Sequence, residues 1–538
     1  MSHTLENLKL QEDFFSFLLD ICDSYKNQVA VRYEKEQTDV NITYNDMLNH
    51  VLSLMRKLEE NYSKEQHIGL IGTFNYEWII SFFAITSLGK VVVPIASDLS
   101  VNDTKKLLND SDVTLLCFTD EKQSVLSNAL KQSGIIVLER EYFNTYYHAF
   151  KIQNDVNFHR PSGDDVAVIC YTSGTTGESK GAMLTHRNII YNVKSTMFTG
   201  ECYKYNKRNY VPVLPPCHMF QVTVGFLGPL NCGMALCIMN GMKEFNRALS
   251  KYRPPLIFLV PAILENMHNQ LKHRIRKDKT IKDFDSLKQS SDELIENGID
   301  RRRDMFCSIR DIFGYDLEVI FCGGAKLETR TIDLFHDVGI VVLNGYGITE
   351  ASPVLSSNTI KKFNNETVGQ PLPMVDIKIM NGEICARGPM IFKGYYKKPE
   401  LTKEVFDGEW FKTGDLGEID PDGNIVIKGR KKNLIILKDG NNVSPEELEN
   451  KLLGIEGVSD GMVTIRKTGN SEMLTFVVYL DSVATLSDGK IMQIKKEIEE
   501  QVENINMQWP FYKQIKKVEY TDKPFEKTAL GKNKRFLT

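Results

Sequence analysis

The stretch Asp165-Val-Ala-Val-Ile-Cys-Tyr171-Thr-Ser-Gly-Thr-Thr-Gly-Glu-Ser-Lys-Gly181 decides the fold. Its first part is a strand-like apolar run, and its second part turns abruptly to glycine, serine and threonine before ending on Lys180 and Gly181. Glycines let a backbone turn so that its N–H groups face an anion. The hydroxyls of Ser173, Thr175 and Thr176 and the ammonium of Lys180 add donors. A strand feeding such a loop reads as a polyphosphate cradle. Gly-Lys-[Ser/Thr] is absent, which disfavours a P-loop NTPase. Taken alone, the loop is also readable as a simple turn.

On both sides of this segment, to about residue 430, apolar runs of strand length alternate with longer amphipathic stretches. HIGLIG, EWIISFFAITSLG, KVVVPIA and DVTLLCF follow one another in this way. That alternation predicts an α/β fold: a large multi-sheet N-terminal portion with largely parallel sheets. Near Gly429 the texture changes. The run from Asp420 to Leu452 reads as a hairpin, a basic link, a short strand and a helix, with Ser444 and Glu447 as a capping box at the helix start. The expected division is residues 1–431 and a small mobile α+β lobe, 432–538. Between Lys272 and Arg303 a charge-dense stretch reads as a surface helical insertion, a solvated face before a polyanion site.

The 538 residues exceed one ordinary domain. A formal charge of −4 gives no whole-molecule attraction to nucleic acid or to an anionic membrane, so an anionic ligand must be met locally. The ten cysteines form no C-x-x-C pair and read as reduced core thiols. The start lacks a basic, apolar leader, which points to a cytoplasmic protein. The run Val222–Met239 is interrupted by Pro229, Asn231 and glycines; it reads as buried core or pocket wall, leaving at most peripheral membrane contact.

Four more segments accompany the loop in order: Asn344-Gly-Tyr-Gly-Ile-Thr-Glu350, Trp410-Phe-Lys-Thr-Gly-Asp-Leu416, Gly429-Arg-Lys-Lys432 and Lys527-Thr-Ala-Leu-Gly-Lys532. Together they resemble the acyl-adenylate-forming (AMP-binding) superfamily, and most of all its long-chain fatty acid–CoA ligases, along nearly the whole chain. The resemblance implies ATP, Mg2+ and a thiol as partners. Thr172, Ser173, Gly174, Thr175, Thr176, Gly177 and Lys180 would wrap the β- and γ-phosphates. Glu350, with Thr176, would hold magnesium, a hard cation suited to oxygen donors. Thr349 would face the α-phosphate. Tyr346 would stack on adenine with Gly323, Gly324 and Ala325 on the other side, Asn344 and Gly345 joining the same cofactor-binding set, although spacing alone also allows Tyr346 as a core aromatic.

In the same resemblance Asp415 accepts hydrogen bonds from both ribose hydroxyls, as a paired-oxygen acceptor can, and Arg430 helps hold the ribose or phosphate. A plain turn aspartate is the competing reading of Asp415. Lys532 is similar to the mobile catalytic lysine that bridges the attacking carboxylate and the α-phosphate; Leu530 departs from the small or hydroxyl residue usual before the glycine. Lys432 falls at the hinge position. His218 would line the acyl entrance, or else is a core histidine.

Gln221, Val222, Thr223 and Val224 follow His218, and none could pair with a substrate ammonium, so an α-amino acid is disfavoured. The implied wall, Val222, Val224, Gly225 and Gly228, Ile257–Ala262 and Cys322–Ala325, is apolar or small, its glycines leaving room for an acyl chain. A medium or long fatty acid is expected, with an aryl acid open. The acceptor is coenzyme A, or the phosphopantetheine arm of an acyl carrier protein. An inactive nucleotide binder and a luciferase-like oxygen user remain as alternative functions.

Overall fold

The computed structural model describes residues 11–119, 124–144, 158, 160–173, 179–277, 284–324, 327, 329–437, 441–468, 471–480 and 488–526. Its largest sheet has seven strands, in the order Gly394–Tyr395, Ser179–Thr185, Val166–Ser173, Val91–Ile95, His67–Ile71, Leu115–Phe118 and Ile136–Glu139. The last five run parallel, and the first two join antiparallel. Alternate residues enter different cores. Val168, Cys170, Leu115 and Cys117 join the main cluster, while Ile169, Leu116 and Phe118 join a second one on the opposite face. A strand buried on both faces needs an apolar residue at every position, which is why DVAVICY shows no polar alternation.

The helix Tyr76–Ser87 corrects one expectation. The sequence pattern predicts an amphipathic helix here, yet every residue in it is buried. Trp78 stacks on Phe82, and Phe226 packs edge-on against both. A helix apolar all round belongs inside a core. Val222–Met239 is likewise buried core, opening with a π-helical turn, Gln221–Leu227. Among the described residues no helix is long and apolar enough to cross a membrane.

A five-stranded sheet, Leu256–Leu259, Val319–Cys322, Val341–Gly347, Val354–Ser357 and Gln370–Pro371, sits beside the first. The expected insertion appears as the end of helix Pro261–Lys277 and the largely exposed helix Phe284–Glu296. A third sheet contains the hairpin Trp410–Ile419 and Ile425–Arg430. Beyond it Val443, Leu448, Leu452, Phe476, Val478 and Ile498 form a separate apolar cluster, around which the antiparallel pair Asp460–Thr468 and Ser471–Tyr479 and the helix Asp488–Asn506 are built.

The helix of this last unit starts at Pro445 with Ser444 as its cap, as expected, but without the capping box. The Ser444 hydroxyl instead donates to the Lys428 carbonyl at 2.8 Å, and Glu447 binds Lys513. Partners distant in sequence outcompete the local cap here. All ten cysteines are free thiols, eight of them buried, and burial pushes Cys117 up to about 12.

Candidate active site

Three parts of the fold converge on one site. The strand Val341–Gly347 delivers Tyr346 and runs into the tight turn Thr349–Ala351, which carries Glu350. Two buried polar side chains hold that turn. Asn192 donates to the carbonyls of Ala351 and Val354 and accepts from Val354 N, while the Thr223 hydroxyl donates to the Ser352 carbonyl. Asn192 is presented by the helix His186–Thr199, whose start is fixed by a reciprocal cap between Thr185 and Asn188. Gly347 is required by close approach, since a Cβ there would lie 2.0 Å from the Pro353 carbonyl oxygen.

The hairpin contributes Asp415 and Arg430 as direct cross-strand partners. Asp415 is 3% exposed. Its Oδ1 pairs with Arg430 Nε at 2.6 Å, and its Oδ2 accepts the Tyr346 hydroxyl at 2.7 Å and Arg430 at 3.4 Å. Burial, reinforced by the Asp415 charge, holds Tyr346 well above its ordinary value, so it stays a hydrogen-bond donor. Burial opposes the Arg430 charge, but Asp415, Tyr346 and Glu350 outweigh it and raise the guanidinium. Partial burial, then the neighbouring Arg430 and Lys180 charges, hold the Lys432 ammonium below its usual range. Lys432 thus lies within electrostatic reach of Asp415, Arg430 and Lys180.

The pairing of Val166–Ser173 with Ser179–Thr185 brings Thr172 opposite Lys180. Gly174, Thr175, Thr176 and Gly177 lie outside the described residues, as do the Ser173 side chain, Ala325 and Lys532. Gly323 lies near Gly345: a Cβ on Gly323 would sit 3.6 Å from the Gly345 carbonyl oxygen and 3.3 Å from the Phe220 ring. Asn344 spends its amide on the Asn365 carbonyl, so its place is structural at that end. His218 is partly buried, and burial lowers its pKa against the opposing Asp98 charge.

The acyl wall departs from expectation. A Cβ on Gly225 would meet Gln221 Oε1 at 2.3 Å, and one on Gly228 would meet the Met197 methyl at 2.7 Å. Side chains fill the room those glycines were expected to leave, because Gln221 folds along its own helix to bond Leu214 N and Gly225 O. Sequence reading also passed over two residues. Glu383 binds Lys431 at 2.8 Å and accepts from Gly414 N, and Tyr395 donates to Glu350 Oε1 at 2.7 Å. Both contacts join residues distant in sequence, which no local pattern reports.

A donor set of this kind suits a nucleotide: an acidic pair of oxygens under an aromatic hydroxyl, a guanidinium, a lysine and a separate carboxylate. Comparison with known proteins agrees. The family model described as AMP-binding enzyme matches residues 20–396. Long-chain-fatty-acid--CoA ligase FadD15 of Mycobacterium bovis is 27% identical over 418 residues, covering 72% of this chain and 69% of that protein. The mouse Long-chain-fatty-acid--CoA ligase 6 is 27% identical over 442 residues, 73% of this chain but 63% of the relative, so the match spans under two thirds of that protein.

Among solved structures, ATP-bound MatB from Rhodopseudomonas palustris has a TM-score of 0.76 at 21% identity, covering 97% of this chain and 96% of that one. The anthranilate CoA ligase AuaEII in complex with anthranoyl-AMP has a TM-score of 0.78 at 18% identity, with 99% and 98% covered. These two show a shared fold. With well over half its length matched by the family model, the chain belongs to the AMP-binding enzyme family, the acyl-adenylate-forming superfamily that its ordered motifs resemble.

Proposed function

We propose that this enzyme, an acid–thiol ligase, activates a medium- or long-chain fatty acid in two steps. The carboxylate attacks the α-phosphorus of ATP and pyrophosphate leaves; the acyl group then moves from AMP to the thiol of coenzyme A. The observation that carries the reading is the buried Tyr346–Asp415–Arg430 constellation beside the Glu350 turn. Asp415 offers two oxygens to a ribose, and Tyr346 offers its ring to adenine, flanked by Gly323, Gly324 and Ala325. Thr172 to Gly177 with Lys180 cradle the phosphates, and Thr349 faces the α-phosphate.

The residues fit magnesium. Glu350 is a partly buried carboxylate with one oxygen already engaged, and no cluster of three or more His, Cys, Asp or Glu that could hold a metal exists among the described residues. A cation that takes its remaining ligands from water and substrate phosphate matches that sparse set. Glu350, with Thr176, would hold it; when bound, it neutralises charge on the departing pyrophosphate. Lys532 adds an ammonium where charge builds on the non-bridging oxygens. Residues 432–538 would swing about Lys432 between the half-reactions, which withdraws Lys532 and admits the thiol. Residues 1–431 would hold ATP and the acid, with His218 at the acyl entrance. The fatty acid class is supported by the names of the relatives and by the missing acid after His218.

The acceptor is tested by following AMP release and thioester formation with a saturated fatty acid and ATP, supplied with either coenzyme A or a phosphopantetheinylated carrier protein. Acyl-CoA and AMP in equal amounts are expected. Thioester on the carrier alone would replace coenzyme A as the acceptor, and no AMP with either would contradict the reading.

A further inference from the structure

Tyr395 occupies a place between the two charged halves of the site, and no role has been given to it above. It lies on the two-residue strand Gly394–Tyr395 at the edge of the seven-stranded sheet, paired antiparallel with the strand that carries Lys180. Its side chain is buried, 5% exposed. The hydroxyl donates to Glu350 Oε1 at 2.7 Å, and the Lys180 ammonium stands 5.3 Å from the ring centroid, inside the roughly 6 Å range of a cation–π contact.

The backbone around it is over-determined. Lys393 N donates to Met183 O and Tyr396 N to Gly181 O, while Phe392 N donates to the Glu350 carbonyl itself. Tyr395 N donates to the Thr402 hydroxyl, and Gly394, at φ +138°, allows the close approach of Thr402, whose Cγ2 would lie 2.7 Å from an added Cβ. On the outer side Tyr396 donates to Asp112, and Lys397 pairs with the same carboxylate at 2.6 Å. A tyrosine that served only to fill space would need neither the anchored strand nor a carboxylate partner on the Thr349–Ala351 turn.

We propose that Tyr395 is a positioning residue that fixes the Glu350 carboxylate for the divalent cation of MgATP and supports the Lys180 ammonium on its ring face. The inference rests on the reading of Glu350 as the magnesium carboxylate. With Oε1 engaged by the phenol, Oε2 is the oxygen that would be available to the cation. Residues that orient a metal-binding carboxylate set affinity through it, and the same side chain spaces the cation from the phosphate-binding lysine.

The test is equilibrium binding of ATP to the full chain by titration calorimetry, once with magnesium and once with excess EDTA at matched ionic strength. Tyr395→Phe keeps the ring and removes only the hydroxyl; MgATP affinity is expected to fall about tenfold while metal-free ATP binds as in the wild type. Tyr395→Leu also removes the ring and is expected to weaken metal-free ATP as well. Equal loss of both nucleotide forms in Tyr395→Phe, or no loss in either, overturns the proposal. Glu350→Ala separates the two readings: if it abolishes the preference for MgATP while Tyr395→Phe keeps it, the proposal falls and the magnesium reading stands; if Glu350→Ala keeps the preference, both fall. In the Glu350→Ala background, adding Tyr395→Phe is expected to change nothing further, and an additive loss overturns the proposal. Should Tyr395→Phe unfold more readily than the wild type, Thr402→Val, which disturbs the same strand from outside the site, is expected to show the same selective loss of MgATP, and an equal loss of both forms overturns it.

Discussion

Tyr346 donates its hydroxyl hydrogen to Oδ2 of Asp415 at 2.7 Å across a sequence separation of 69 residues. Arg430 holds the other oxygen, so the carboxylate is fixed from two sides before any ligand arrives. Preorganised acceptors cost no reorganisation when the ligand binds. The same contact makes Tyr346 the link between the strand Val341–Gly347 and the hairpin that carries Asp415 and Arg430.

Asp415→Ala is therefore expected to act on nucleotide binding before chemistry. Hydrogen bonds to a charged acceptor contribute about 1.5–3 kcal/mol each, so losing two lowers ATP affinity by about 100-fold or more. Tyr346→Phe, which frees but keeps the carboxylate, is expected to give a smaller loss. Calorimetric titration with ATP checks both; unaltered affinity in Asp415→Ala removes that residue from the site.

The two half-reactions should separate genetically. Lys532→Ala is expected to slow adenylation by about 100-fold or more while ATP still binds. Lys432→Pro, which stiffens the backbone at the proposed hinge, should slow transfer to the thiol more than adenylation. Single-turnover assays of each step test this, and equal loss of both steps in Lys432→Pro would sink the hinge.

Gly347→Ala places a methyl group 2.0 Å from the Pro353 carbonyl oxygen, a backbone atom that has no rotamer to escape into. The turn bearing Glu350 must shift, and destabilisation of about 2 kcal/mol or more is expected. Thermal unfolding should show a clear fall in Tm; an unchanged Tm together with full activity would mean the turn has room that the geometry denies.

Stability should fall in acid through His186. Burial lowers this imidazole to about 4, and its Nδ1 accepts the Phe14 N–H at 3.2 Å, which requires the neutral ring. The unfolded chain takes up the proton at about 6.5. Stability from this group is thus complete above about 6.5 and is lost as the pH falls through 4, by up to about 3 kcal/mol. Urea unfolding between these limits measures it, and His186→Gln should flatten that part of the profile; the same slope in both proteins would contradict the assignment.

Much of this site was legible in the sequence because its residues sit where apolar runs end and short polar segments begin. The run DVAVICY predicted a strand, and it is the doubly buried strand that opens the cradle. Tyr346, Asp415 and Arg430 belong to separate motifs, and the structure brings Tyr346 and Arg430 both onto Asp415. Tyr395 and Glu383 are not legible, since their partners are 45 and 31 residues away and are brought near only by the tertiary fold. Ser444 shows the same limit in reverse: its local pattern was right for a helix start, but its hydroxyl is taken by a carbonyl 16 residues earlier. The wall glycines misled because sequence reports the absence of a side chain at Gly228 and not the arrival of Met197 over it.

The central claim, activation of a fatty acid as its adenylate, is tested most directly by acid-dependent exchange of labelled pyrophosphate into ATP. The assay is run with magnesium and without any thiol, over fatty, aryl and amino acids. Exchange with medium or long fatty acids and none with amino acids is the predicted result. Exchange only with another class would contradict the fatty acid assignment, and no exchange with any acid would contradict adenylation itself.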